Sequence, residues 1–251
     1  MNPFAGRPAR RLAMALLVSI LMPAQVQAQV IVHGTRQIFP GNQREITVRI
    51  ENVGQRAALV QAWTDDGDKQ AAPEQARTPF VLRPPVFRLD AGRSQALRVL
   101  LAGDGLPQDR ESIYWLNVLD IPPAPREDEV ATGNFLQFSL RTRIKLIYRP
   151  KGLEAAAAAP YRLKWTLVPD RQGWALQVDN PTPYYVHFIA VGLRAQGRDH
   201  PAADPQMVAP WSQRRYPLQG LSARPAGGTV RFEFVNDQGG SVAQSIALNV
   251  N

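Results

Sequence analysis

Hydrophobic and polar residues alternate along much of the chain. In residues 46–50, 136–140 and 230–234, every second residue is apolar and the residues between are polar. A period of two places the apolar side chains on one face of a half-buried β-strand. No long stretch repeats its apolar residues with the 3.6-residue period of a capped amphipathic helix. The pattern therefore predicts an all-β protein.

Turn-forming residues separate these predicted strands at short intervals. The turn signals lie at residues 40–42, 52–54, 65–68, 90–92 and 237–240. Short strands joined by frequent turns are typical of β-sandwiches, whereas a βαβ fold needs helical segments between its strands. The 251 residues are enough for two sandwich domains of ordinary size.

The composition changes near the middle of the chain. Arg149-Pro150-Lys151-Gly152 is followed by Glu154 and by an alanine run over residues 155–159 that ends at Pro160. We interpret residues 150–160 as a linker between an N-terminal domain, residues 29–149, and a C-terminal domain, residues 161–251. A short helix over residues 153–159 is the alternative interpretation of this segment.

The first 28 residues have the organisation of a secretory signal peptide. Arg7, Arg10 and Arg11 precede an apolar run over residues 12–22, which is too short to span a bilayer comfortably. Small residues then occupy the expected positions in Val26-Gln27-Ala28. We expect export with cleavage after Ala28, and a retained membrane anchor is the alternative.

Composition argues against several classes of function. The formal charge is +8, but three of its arginines lie in the predicted signal peptide and no basic cluster stands out elsewhere, so nucleic acid is a poor partner. The chain has no cysteine, which removes disulfides, thiolate catalysis and iron–sulfur clusters. Its three histidines, His33, His187 and His200, lie too far apart for a helical metal-binding pair.

The chain also lacks the common catalytic motifs. It has no nucleophile elbow, P-loop, dinucleotide-binding glycine motif or zinc-protease motif. Asp65-Asp66-Gly67-Asp68 could suggest calcium, but it lacks the spacing and closing Glu of an EF-hand, so a solvated turn is favoured. We therefore expect no enzyme activity, no cofactor and no metal site.

Five collinear segments carry a resemblance to a known family. They are GTRQIF at 34–39, LPQDRESIYWLNVLDIPP at 106–123, RIKLIYRP at 143–150, NPTPYYV at 180–186 and VNDQGG at 235–240. Together they resemble the periplasmic pilus (fimbrial) assembly chaperones. The connection of about a dozen residues after Pro123 is similar to that of the subclass with a short F1–G1 loop.

The resemblance implies a fold and a function. The fold would be two immunoglobulin-like β-sandwich domains arranged as a boomerang. The function would be to bind, fold and cap pilus subunits one-to-one in the periplasm by donor-strand complementation, and to deliver them to an outer-membrane usher. The mature chain would insert into no membrane.

The resemblance also implies roles for eight residues. Leu136, Phe138 and Leu140 would fill the groove of the client subunit, although from pattern alone they could equally face the chaperone's own core. Arg36 and Lys145 would bind the client's C-terminal carboxylate, the alternative being ordinary surface cations. Glu111, Arg149 and Asp237 would form a charged network between the domains, the alternative being three unrelated surface charges.

A second class of function stays open on the sequence alone. An exported immunoglobulin-like adhesin or carbohydrate-binding protein would use tryptophans as stacking platforms. The candidates are Trp63, Trp115, Trp165, Trp174 and Trp211.

The signal-peptide interpretation makes a direct prediction. The protein isolated from the periplasm should begin at Gln29, because Ala28 occupies the position at which a signal peptidase cuts. N-terminal sequencing measures this, and a mature protein that begins upstream of Ala24 would contradict it.

Overall fold

The computed structural model describes residues 29–124, 137–153, 156–171 and 173–248. The predicted signal peptide, residues 1–28, and Leu136 of the predicted donor strand lie outside these ranges. Sixteen strands and one short 3-10 helix form the regular structure within them. Of the described segments, none is a helix both long and apolar enough to cross a bilayer. The prediction of an all-β protein is confirmed.

Nine strands form the N-terminal domain as two sheets packed face to face. They are β1 (Val30–Val32), β2 (Arg36–Pro40), β3 (Glu45–Asn52), β4 (Ala58–Asp65), β5 (Phe80–Arg83), β6 (Val86–Leu89), β7 (Ser94–Leu101), β8 (Ser112–Ile121) and β9 (Leu140–Arg149). The sheet orders are β1-β3-β7-β5 and β2-β9-β8-β4-β6. Alternate residues such as Ile50, Leu97, Leu116 and Leu146 are fully buried between the sheets. Burying each of them stabilises the fold by about 1.5–3 kcal/mol.

The first segment of this domain changes from one sheet to the other. Strand β1 pairs antiparallel with β3, and β2 then pairs parallel with β9 in the opposite sheet. Gly34 lies between the two strands with a φ of 89°, a backbone conformation that residues with a side chain rarely adopt. The change of sheet brings Arg36 opposite Lys145 in the ladder between β2 and β9.

Seven strands form the C-terminal domain, again as two sheets. They are β10 (Lys164–Asp170), β11 (Gly173–Asn180), β12 (Phe188–Ala195), β13 (Arg198–Pro201), β14 (Ser212–Pro217), β15 (Gly228–Val235) and β16 (Ser241–Leu248). The sheet orders are β10-β11-β14 and β13-β12-β15-β16. Trp165 packs in the core with its ring centroid 5.7 Å from that of Phe188 and 5.3 Å from that of Phe232.

The segment between the domains contains a 3-10 helix, Ala156–Arg162. Ala159 and Pro160 of this helix are buried, and Ala159 belongs to the core of the C-terminal domain. Part of the predicted linker is therefore packed against the second domain. The helix begins three residues after the start of the alternative helix at residues 153–159.

Arg149 joins the two domains through two carboxylates. Its Nε donates to Glu111 Oε1 at 2.8 Å, and its Nη1 and Nη2 donate to the two carboxylate oxygens of Asp237 at 2.7 and 2.8 Å. Glu111 also bonds to the C-terminal domain's backbone, because its Oε2 accepts from the Tyr185 N–H at 2.9 Å. The three charges form one network that lies across the domain boundary.

Burial makes this network sensitive to the loss of its cation. The Glu111 side chain is only 2% exposed, and burial raises the pKa of its carboxyl while the charge of Arg149 opposes the rise. Burial alone would lower the pKa of Arg149, but its hydrogen bonds to Asp237 and the charge of Glu111 raise it above its ordinary value. Asp237 is 39% exposed, and the hydrogen bond from Arg149 lowers the pKa of its carboxyl.

Removing the cation should destabilise the protein substantially. Arg149→Ala leaves Glu111 as a buried carboxylate without its ion pair, which costs about 3–5 kcal/mol in comparable buried pairs. Urea unfolding of the variant beside the wild type measures the loss.

An exposed ion pair provides the matched control. Arg88 contacts Asp90 at 2.9 Å, but the two side chains are 75% and 64% exposed. Arg88→Ala should therefore change the free energy of unfolding by no more than about 1 kcal/mol. Equal effects of the two substitutions would show that the interdomain network behaves as a surface pair.

Candidate functional site

Arg36 and Lys145 are half-buried neighbours at the domain boundary. They lie opposite each other on the parallel strands β2 and β9. Arg36 Nη1 donates to the carbonyl of Val235 in the C-terminal domain at 3.2 Å. Within the described residues, neither cation has a carboxylate at ion-pair distance, unlike Arg149 four residues further along β9. Two adjacent cations without an acidic partner favour the binding of an anion.

The surroundings of these two cations disfavour their positive charge. Burial, and secondarily the charge of Arg36, lowers the pKa of the Lys145 ammonium to about 8. Burial also lowers the pKa of Arg36, against the opposing charges of Asp237 and Glu111. A bound carboxylate would stabilise the charged form of both residues. The site is therefore electrostatically better suited to an anion than to solvent alone.

The two domains enclose a cleft of about 290 Å³ beside this pair. Arg36, Ile147 and Arg149 line it from the N-terminal domain, and His187 and Val235 line it from the C-terminal domain. His187 follows the NPTPYYV segment and is only 3% exposed. The sequence alone predicts no role for His187, because a single histidine after a family motif carries no signal of its own.

Strand β9 has an unpaired edge over half its length. From Lys145 to Tyr148 it lies between β2 and β8, whereas from Leu140 to Ile144 it pairs only with β8. Alternate backbone N–H and C=O groups of that half point away from β8, as they do in any edge strand. Of the described residues, no strand pairs with that side, so another extended chain could add there.

Apolar side chains stand beside this open edge. Ile144, Leu146 and Tyr148 on alternate positions of β9 are buried in the core of the N-terminal domain. Leu140 in the same alternation is 46% exposed, and Phe138 just before the strand is 64% exposed. Leu136, the third predicted donor residue, lies outside the described residues. Phe138 and Leu140 are therefore exposed, as a role in the client groove requires, and that role stays a prediction.

The tryptophans do not form a shared platform. Trp63 is buried, and the Arg141 guanidinium lies 4.7 Å from its ring centroid. The Arg143 guanidinium lies 3.9 Å from the ring centroid of Trp115. Trp165 and Trp174 pack against the core of the C-terminal domain. Trp211 is the exposed member of the five, at 48%.

The structure corrects the interpretation of Asp65 as part of a solvated turn. Its side chain is fully buried and accepts from Arg143 Nε at 2.9 Å and from Asn117 Nδ2 at 2.7 Å. Burial alone would raise the pKa of Asp65, but these hydrogen bonds hold it below its ordinary value. Within the described ranges, no three acidic or histidine side chains lie close enough together to hold a metal ion.

Two family models match the chain. Residues 29–154 match the N-terminal domain of the pili and flagellar-assembly chaperone PapD, and residues 158–246 match the C-terminal domain of the pili assembly chaperone PapD.

Similar proteins include fimbrial chaperones from several bacteria. The probable fimbrial chaperone YadV of Escherichia coli K12 is 41% identical over 223 residues, which cover 88% of this chain and 90% of the relative. The chaperone protein FimB/FhaD of Bordetella pertussis is 39% identical over 250 residues, which cover 95% and 97%.

Solved structures give the same result for the fold. The crystal structure of the YadV chaperone matches with a TM-score of 0.75 at 38% identity, covering 88% of this chain and all of that chain. The SafB chaperone of Salmonella enterica, solved in complex with the SafA pilin, gives a match with a TM-score of 0.73 at 26% identity. That match covers 90% of this chain and 99% of the solved chain.

Proposed function

Because this chain belongs to the pili assembly chaperone family, we infer that it holds a pilus subunit by adding strand β9 to the subunit's fold. The family establishes the two immunoglobulin-like sandwich domains and the role of a fimbrial chaperone. We propose in addition which residues contact the client and what each of them does.

The open half of β9 is the observation that carries the proposal. A pilus subunit that lacks its last strand exposes a groove with unpaired backbone groups on both sides. Residues 140–144 offer unpaired backbone groups of their own along one edge. Pairing the two satisfies the hydrogen bonds of both partners, which is the physical basis of β-strand addition.

Phe138 and Leu140 supply the apolar part of this contact. Both are exposed on the alternation that, further along β9, faces the domain core. Placing each side chain in an apolar pocket is worth about 1.5–3 kcal/mol as an upper bound. Leu136, two residues before Phe138, has the same parity in the sequence and is proposed to fill a third pocket.

Arg36 and Lys145 fix the register of the added strand. A carboxylate bound between them would accept charge-assisted hydrogen bonds worth about 1.5–3 kcal/mol each. The C-terminal carboxylate of the client is the group that ends the last client strand. Holding that end at Lys145 determines which client pocket receives Leu140, because both residues lie on the same strand.

The cellular setting follows from the same proposal. Signal-directed export brings the chain to the periplasm, where the family acts, and cleavage after Ala28 releases it there. One chaperone holds one subunit and transfers it to an outer-membrane usher. A solved relative, SafB, is in complex with a pilin, which supports a pilin as the partner here. A chaperone family gives no support to an enzyme activity or to the alternative of a carbohydrate-binding protein.

The donor-strand role predicts different effects of Phe138→Ser on the free protein and on the complex. An exposed side chain leaves no cavity when it is shortened, so the free protein should lose less than about 1 kcal/mol of stability. The yield of the co-purified fimbrial subunit should fall markedly, because the client pocket loses its apolar partner. Urea unfolding and co-purification measure the two effects.

Two leucines on the same strand provide the matched comparison. Leu140 is 46% exposed, whereas Leu146, six residues later on the same alternation, is fully buried. Leu146→Ala should cost about 2–5 kcal/mol in the free protein, and Leu140→Ala should lower client yield without this cost. Marked destabilisation of free Phe138→Ser would assign Phe138 to the chaperone's own core.

The anchor role predicts loss of client capture in Arg36→Ala and Lys145→Ala with little change in folding. Burial already disfavours the charge of Lys145, so removing it should leave the melting temperature unchanged or raised. Circular dichroism should be unchanged in both variants. Wild-type yields of the co-expressed subunit in either variant would contradict the anchor role.

The same site predicts that client affinity falls with rising pH. The pKa of Lys145 is lowered to about 8 in the free protein, and a bound carboxylate would raise it. Above about pH 8 binding must take up one proton, so affinity should fall by up to about ten-fold per pH unit. Lys145→Arg keeps a cation that does not titrate in this range and should bind with a flatter profile. Equal profiles for both proteins would exclude titration of Lys145.

A further inference from the structure

The cleft contains a concentration of buried polar atoms without partners. Six buried side-chain nitrogen or oxygen atoms of the described residues have no hydrogen bond. Three of them line this one cleft: Arg36 Nε and both ring nitrogens of His187. A buried polar atom without a partner destabilises the free protein. Their position together in the cleft therefore suggests a function for His187 as well as for Arg36.

The backbone connects His187 closely to Arg36. The N–H of Val235 donates to the His187 carbonyl at 2.9 Å, and the Val235 carbonyl accepts from Arg36 Nη1 at 3.2 Å. One residue of β15 therefore bonds to both. The ring of Tyr185 is also nearby, with its centroid 6.3 Å from that of His187.

Burial, together with the nearby positive charges, keeps the ring of His187 neutral. Burial, followed by the charges of Lys145 and Arg36, lowers the pKa of the imidazole to about 2. A neutral imidazole has one N–H donor and one acceptor nitrogen. The N–H can bind a carboxylate near the two cations without an added proton.

We propose that His187 is a third residue that binds the C-terminal carboxylate of the client, donating a ring N–H beside Arg36 and Lys145. The inference rests on the proposed function of that pair. As a consequence, the carboxylate would be bound by both domains, because Arg36 and Lys145 belong to the N-terminal domain and His187 belongs to the C-terminal domain. Binding the end of the client would thus depend on the relative placement of the domains.

Acetate, the simplest carboxylate, is the probe for this site, and acetamide is its neutral counterpart. Binding is followed by NMR on the full mature chain with uniform ¹⁵N labelling, which reports on the histidine ring nitrogens and on the side-chain nitrogens of Arg36 and Lys145. In the wild type, acetate should shift the ring nitrogens of His187 and acetamide should not. His187→Phe should weaken acetate binding about ten-fold or more, since a hydrogen bond to a charged group is lost. The same variant should be as stable as the wild type or more stable, because it removes two unpartnered atoms.

Two further variants complete the test. His187→Asn retains an N–H donor and should recover most of the acetate affinity. His200→Phe makes the same change at a histidine of β13 outside the cleft and should leave acetate binding unchanged. Equal acetate affinity in wild type and His187→Phe, or no acetate shift at the wild-type ring, would overturn the role of His187. An acetate response at Arg36 and Lys145 in that case would leave the anchor pair standing, whereas no response there would contradict the anchor itself.

Discussion

The structure depends on how the backbone of one strand is paired. Among the described strands, β9 has two neighbours from Lys145 to Tyr148 and one from Leu140 to Ile144, because β2 is only five residues long and begins opposite Lys145. The change of sheet at Gly34 sets this limit, since the preceding residues pair with β3 instead. An edge of five unpaired residues is long enough to align an added strand and short enough to limit aggregation.

The start of β2 at Arg36 has a second consequence, which is electrostatic. The point at which β9 acquires its second neighbour is also the point at which Arg36 and Lys145 meet. Four residues later, Arg149 on the same strand is neutralised by Glu111 and Asp237. Arg149 thus joins the domains, whereas Lys145 has no acidic partner among the described residues. The same strand carries the proposed donor segment, the proposed anchor and the interdomain network in that order.

Much of this arrangement could be predicted from the sequence, and the reasons for the exceptions are physical. Period-two alternation identifies strands because it reflects the two faces of a sheet, and the family segments place Arg36, Lys145 and Arg149. Alternation does not reveal with which strand a given strand pairs. The passage of the chain from one sheet to the other at Gly34 is therefore not predictable from the pattern. Asp65 was assigned to a solvated turn because its neighbours Asp66 and Gly67 are turn residues, whereas its partners Asn117 and Arg143 are more than fifty positions away. The position of His187 in the cleft is unpredictable for a similar reason, since the residues around it come from both domains.

The buried Asp65 also helps to determine which face of β9 carries Leu140. Arg143 is held by Asp65, and Arg141 donates to Asn117 Oδ1 at 3.0 and 2.8 Å, both on one face of the strand. Because successive residues of a strand point to opposite faces, these bonds fix Leu140 on the other face. A slip by one residue would break every one of them. The strand is therefore ordered before a partner arrives, and a strand that is already ordered loses less conformational entropy when it binds. The bonds of Arg141 and Arg143 would thus strengthen the binding of the proposed donor residues without contacting the client.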